Sequence, residues 1–160
     1  MDGSVGRSSS SSSSERREAA LSSAMRVEQL ADSLSQAAVT LHGAVMRAIR
    51  KRASQGADGI SHSQAQAVFA LEVALRQQAN QLYADAAGHT VAGLETAQRQ
   101  LSGLLDTVRL RIARNDDVRH WISLATSLLH LGSAVLAGNP ERILSTLGKV
   151  RERLQEMAPE

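Results

Sequence analysis

Between Val27 and Ile49 the apolar residues fall on one unbroken helical stripe. Val27, Leu30, Ala31, Leu34, Ala37, Ala38, Leu41, Ala44, Val45, Ala48 and Ile49 occupy the a, d and e positions of a heptad frame, and no proline interrupts it. With its flanks the pattern predicts one helix over residues 15–54. At about 1.5 Å per residue such a helix is on the order of 60 Å long, which suits an elongated bundle better than a compact globule.

The rest of the chain must then supply helices to cover that stripe, and its composition agrees. Hydrophobic residues make up 42% and charged residues 21%, which is globular rather than disordered. Trp121, Tyr83 and Phe69 are the only aromatic residues, too few for a sheet protein of this size, and the apolar set is mostly Ala and Leu, both strong helix formers. There is no cysteine, which excludes disulfides, thiolate zinc sites and thiol nucleophiles. The fold expected is all-α: an elongated antiparallel bundle of three to five helices with a disordered N-terminal tail. Residues 1–14 form the tail and residues 15–160 a single helical-bundle domain.

Local signals mark the joints. Gln55-Gly56-Ala57-Asp58-Gly59 reads as a loop. Ser61 opens a capping box with Gln64, and Ile60 stands before it as a staple residue. Val68, Leu71, Leu75, Ala79, Leu82 and Ala86 then share one face, and a further stretch carries Leu94, Ala97, Leu101, Leu104, Leu105, Val108 and Ile112. The apolar stripe shifts at Gly88-His89-Thr90, but no proline or capping box marks a break, so a continuous or kinked helix over 62–114 is preferred to two helices. Glu72–Arg76 and Glu95–Arg99 are expected as i,i+4 pairs on the outer side. Asn115-Asp116-Asp117 starts the next helix and Gly138 stops it. Asn139-Pro140-Glu141 then reads as N-cap, N1 and N2 of a last helix, whose seam is Ile143, Leu147, Val150, Leu154 and Met157.

No catalytic, cofactor-binding or metal-ligating residues are expected, and the chain is read as not an enzyme. His42, His62, His89, His120 and His130 include no i,i+3 or i,i+4 pair, and no Glu-x-x-His motif occurs. Glu28 with Asp32, and Glu152 with Glu156, lie one turn apart, but no nucleophile or phosphate loop accompanies them. Arg47, Arg50, Lys51 and Arg52 form a tight basic cluster, and Arg109, Arg111 and Arg114 end another predicted helix. Both fit cations complementing a helix C-terminus, and neither has an aromatic platform for bases, so a nucleic-acid partner is not favoured.

Trp121 to Pro140 contains no charged residue. Its serines, its glycines and Pro140 favour the buried central helix of a bundle over an oligomer interface or membrane contact. Ser33 to Met46 and Gly59 to Leu71 are also uncharged. Charge-poor faces let helices approach closely and stay partly exposed until covered. The function expected is therefore a non-enzymatic helical-bundle protein acting through helix-mediated protein–protein contact or self-assembly, with a protein partner or a homo-oligomer. Exposed members of the last helix and the charge-poor faces are its expected contact residues. A peripheral membrane-surface role, built on Trp121–Gly138 and the cluster near Arg50, is an alternative.

The run Ser8 to Ser14 supports a further one. In composition this serine-rich, acid-poor start resembles the N-termini of substrates of bacterial type III secretion. The resemblance covers under a tenth of the chain and implies a secretion-system component, effector or translocator. The first residues lack the basic and apolar regions of a secretory signal peptide. The expected location is cytoplasmic, or secreted without a cleaved signal peptide.

Overall fold

The computed structural model describes the backbone of residues 3–55, 60–86, 107–108 and 110–157, and side chains for 25–53, 60–86, 107–108 and 110–157. Four helices carry the described packing: α1 (Gly3–Gln55), α2 (His62–Asp85), α3 (Val118–Ala137) and α4 (Pro140–Glu156). Residues 110–114 are also helical. The fold is an all-α antiparallel bundle.

The helix expected over 15–54 is α1. Its bounds are Gly3–Gln55, and described side-chain packing begins only at Met25, beyond the serine-rich stretch expected as a tail. From Val27 to Val45 its a, d and e stripe is buried as the periodicity predicts. Ala48 and Ile49 sit half-buried at its edge.

Each start signal forms as its chemistry requires. The Ser61 side chain accepts from the Gln64 backbone N–H at 3.1 Å, and the Ser61 N–H donates to the Gln64 side chain at 3.1 Å. Ile60 and Ala65, the two staple positions, are both buried. Asp117 caps α3 by accepting from the Arg119 N–H. Asn139 caps α4 by accepting from the N–H groups of Glu141 and Arg142, with Pro140 in the first turn. Between these helices Gly138 adopts φ +69, the left-handed conformation. Its N–H donates to the Val135 carbonyl and the Asn139 N–H to that of Ala134, which is a Schellman closure.

The preferred continuous or kinked helix over 62–114 is corrected. α2 ends at Asp85, with Ala86 as its cap residue, before Gly88 is reached. The apolar stripe that shifts there cannot keep one straight helix on a single core. Gly88-His89-Thr90 itself, the stretch Leu94 to Leu105, and the Glu95–Arg99 pair lie outside the described residues.

α3 is the central helix. It packs on α1, α2 and α4, and Trp121, Leu124, Leu128, Leu131 and Val135 are fully buried along it. Among the described helices it alone has the length and hydropathy to span a membrane, and half of that window is buried within the bundle. The α4 seam, Ile143 to Met157, is buried throughout and lies mainly against α3. Serine and threonine enter this core without cost in unmade bonds. Ser33, Ser127 and Thr146 are buried, and each hydroxyl donates to the carbonyl four residues before it, at 2.7–3.0 Å.

Candidate interaction surface

α1 and α2 form an antiparallel pair whose register is set by two side-chain contacts. His42 Nδ1 lies 3.0 Å from Glu72 Oε2, and Tyr83 donates its hydroxyl to Asp32. Glu72 is the centre of a three-residue cluster, because Arg76 donates to Glu72 Oε1 through both Nε and a terminal nitrogen, at 3.3 and 3.1 Å. Glu72 is only 8% exposed, whereas its partners' side chains reach water at 51% for His42 and 47% for Arg76. A carboxylate can sit at this helix interface because both of its oxygens are engaged. The Glu72–Arg76 pair thus forms with Arg76 exposed on the outer side, while Glu72 itself is turned inward to His42 of α1. The residues are 30 apart in sequence, so helical periodicity alone does not bring His42 to Glu72. The available signal was that Glu72 is the only acid from His62 to Ala84.

On the outer side of this pair runs a second apolar line that the core periodicity does not reveal. On α1 it is Val39, Met46 and Ile49, with His42 among them at spacings of three and four; on α2 it is Phe69 and Val73, which continue from buried Ala65 at spacings of four. The antiparallel register sets Met46 level with Phe69 and Ile49 level with Ala65. The Phe69 ring packs on His42 at 5.9 Å between centroids. Met46, Ile49 and Phe69 are half-buried against the core. Val39 and Val73 are 59% and 52% exposed, although each is a large apolar side chain. At the loop end the line opens into a cavity of about 310 Å³, lined by Ile49, Arg52, Ile60, His62, Ala65 and Phe69.

A second cleft, of about 460 Å³, lies at the same end of the bundle with Trp121 in its wall. Its charges face one another: Lys51 pairs with Asp116 at 3.6 Å, and Arg47, on the cleft wall, donates to the Ala113 carbonyl at 3.2 Å. The basic cluster is therefore divided. Arg47 and Lys51 tie α1 to the segment before α3, Arg52 donates to the Ile60 carbonyl at 2.7 Å, and Arg50 is exposed beside the outer apolar line. Arg109 lies outside the described residues.

The remaining candidates are separate. Glu28 is exposed, and Asp32 holds Tyr83; the bond to Asp32 raises the Tyr83 pKa above its ordinary value. Glu152 is exposed, and Glu156 accepts from Arg153 at 3.2 Å. His120 lies 3.2 Å from the Asn115 side chain, while His62 and His130 are exposed. Among the described residues no three His, Asp or Glu side chains converge as a metal site would require.

No family model, no curated protein and no solved structure matches this chain. Among the described residues, the most distinctive surface is the partly exposed apolar line on α1 and α2.

Proposed function

We propose that this protein is a non-enzymatic helical-bundle module that acts by helix-mediated contact with another protein or with a second copy of itself. The observation that carries this reading is the outer α1–α2 line, where Val39 and Val73 stand more than half exposed beside half-buried Met46, Ile49 and Phe69. Apolar residues at helical spacing on two packed helices form a surface that a third helix can cover. Leu144 on α4, 51% exposed, is a lone apolar residue by comparison, because the α4 seam is already buried.

The test is position-dependent photo-crosslinking in the full chain. A photoreactive residue replaces Val73 or, as a control, exposed Ser145 on α4. Discrete adducts from position 73 and none from position 145 are expected, with light scattering showing whether the adduct is two copies. Adducts from neither position, or equally from both, would overturn the reading.

A further inference from the structure

We infer that the occupant of the α1–α2 groove is an amphipathic helix of a separate protein, with acidic residues flanking its apolar stripe. The inference rests on the contact reading above and adds the site and the chemistry of the partner.

The groove's shape selects a helix. Its two walls are antiparallel helices, with contact residues repeating at three and four, and a helix laid between them meets both lines with its own i, i+3, i+4 and i+7 residues. The cavity at Ile49, Ile60 and Phe69 receives one large apolar anchor at the end of that helix.

The groove's charge selects the flanks. From Ser33 to Gln55 there is no Asp or Glu, and from His62 to Ala84 the one acid is Glu72. Glu72 is buried and held by Arg76 and His42, so it presents no carboxylate oxygen to an occupant. Arg76 balances it. Arg50 and Arg52 are left to make the rim positive, the first exposed beside Met46 and the second lining the cavity. Carboxylates on the occupant's flank would meet these guanidinium groups, which favours encounter and orientation.

The same charges argue against a second copy. On the groove walls a second copy offers Arg50 no exposed acid, and the acid next along this face, Asp32, one heptad before Val39, already accepts from Tyr83. Nor does α4 of another copy fit, because its apolar seam is buried against its own bundle.

The full chain is panned against a displayed library of helical peptides with randomised surface positions. Enriched peptides are then measured by fluorescence anisotropy against wild type, Val73→Glu and Arg50→Glu, whose folding is checked by far-UV circular dichroism. Both side chains are exposed, so both variants are expected to fold. Enriched peptides should carry apolar residues at helical spacing with Asp or Glu beside them. They should lose at least about tenfold in affinity with Val73→Glu, and weaken with Arg50→Glu and with added salt. Basic flanks, or equal binding to Val73→Glu, would overturn the groove inference while leaving protein contact in place. So would a concentration-dependent wild-type dimer that Val73→Glu abolishes, because the occupant would then be a second copy. No enriched peptide also overturns the inference, and adducts at position 73 decide separately whether the broader reading survives.

Discussion

Gln78 of α2 fills the space that a side chain at Gly132 of α3 would need. Its amide nitrogen donates to the Leu129 carbonyl at 2.9 Å and to Ser133 Oγ at 3.1 Å, which locks the side chain across the α3 backbone. A Cβ built on Gly132 collides with the Gln78 carboxamide. Gln78 Oε1 is buried and accepts from no described residue, so the amide is held by its donor side alone. The missing side chain at 132 is what lets α2 and α3 come together here.

Gly132→Ala is therefore expected to destabilise the protein by about 1–2 kcal/mol. Alanine gains up to about 1 kcal/mol in helix propensity, but the overpacking cost of about 1–3 kcal/mol outweighs it. Urea denaturation of Gly132→Ala, Gln78→Ala and the double variant reads the coupling. The double should lose less than the sum of the singles. A neutral or stabilising Gly132→Ala would show that the Gln78 carboxamide swings aside at little cost and is not locked over this glycine.

The other described glycines give opposite signs. Gly43 and Gly148 lie within helices with open space where a Cβ would go, and Gly138 has a positive φ. Gly43→Ala and Gly148→Ala should each stabilise by about 0.5–1 kcal/mol, whereas Gly138→Ala should cost about 1–2 kcal/mol. Thermal unfolding of the three single variants checks the ordering.

Trp121 is 1% exposed, and its indole N–H donates to the Asn115 carbonyl at 2.7 Å. Trp121→Phe removes that donor and leaves the carbonyl without it, at a cost of about 1–3 kcal/mol. Trp121→Ala should cost about 3–5 kcal/mol through the cavity it opens. Both are measured by urea titration with far-UV circular dichroism. Because Trp121 is the sole tryptophan, wild-type emission and dichroism should give one coincident transition.

Glu72 predicts an asymmetry. Glu72→Gln keeps the shape and removes the buried charge, and should cost about 1 kcal/mol or less. His42→Ala with Arg76→Ala leaves that charge unpartnered. Its cost should be about 2 kcal/mol, below the ~3–5 kcal/mol of a fully enclosed pair, because the site opens to water on the His42 and Arg76 side. Equal costs in chemical denaturation would mean that the carboxylate is not confined.

Asp117 sets an acid limit on the α3 cap. Hydrogen bonds from the Arg119 side chain hold its carboxyl below the ordinary aspartate value, and the Arg119 backbone N–H adds to this while partial burial opposes it. A depressed folded value means that the contribution is complete above the unfolded value of about 3.9 and is lost as pH falls through the folded value. Asp117→Ala should cost about 1 kcal/mol near neutral pH. Asp117→Asn retains a capping oxygen without the titration. The stability gap between wild type and Asp117→Asn should stay flat above about pH 5 and close below about pH 4.

The legible parts of this protein are those whose physics is complete within a few residues. Ser61 with Gln64, Asp117, Gly138 and Asn139-Pro140 mark helix ends, because each cap closes a bond to a backbone group at most five positions away. The stripes from Val27 to Val45 and from Ile143 to Met157 identify buried faces, because a 3.6-residue repeat leaves one side apolar whatever lies opposite. What the partner helix does was not legible. The end of α2 at Asp85 depends on where the shifted stripe finds a core. The inward place of Glu72 depends on His42, 30 residues away, and the bare backbone at Gly132 on Gln78, 54 residues away. The outer line from Val39 to Val73 exists as a surface only because α1 and α2 pair in one antiparallel register. Local bonding and periodicity let the sequence by itself determine the helices, their caps and their buried sides. Only tertiary packing, through contacts between distant residues, decided which charge is enclosed, which glycine is needed and which apolar line is left open.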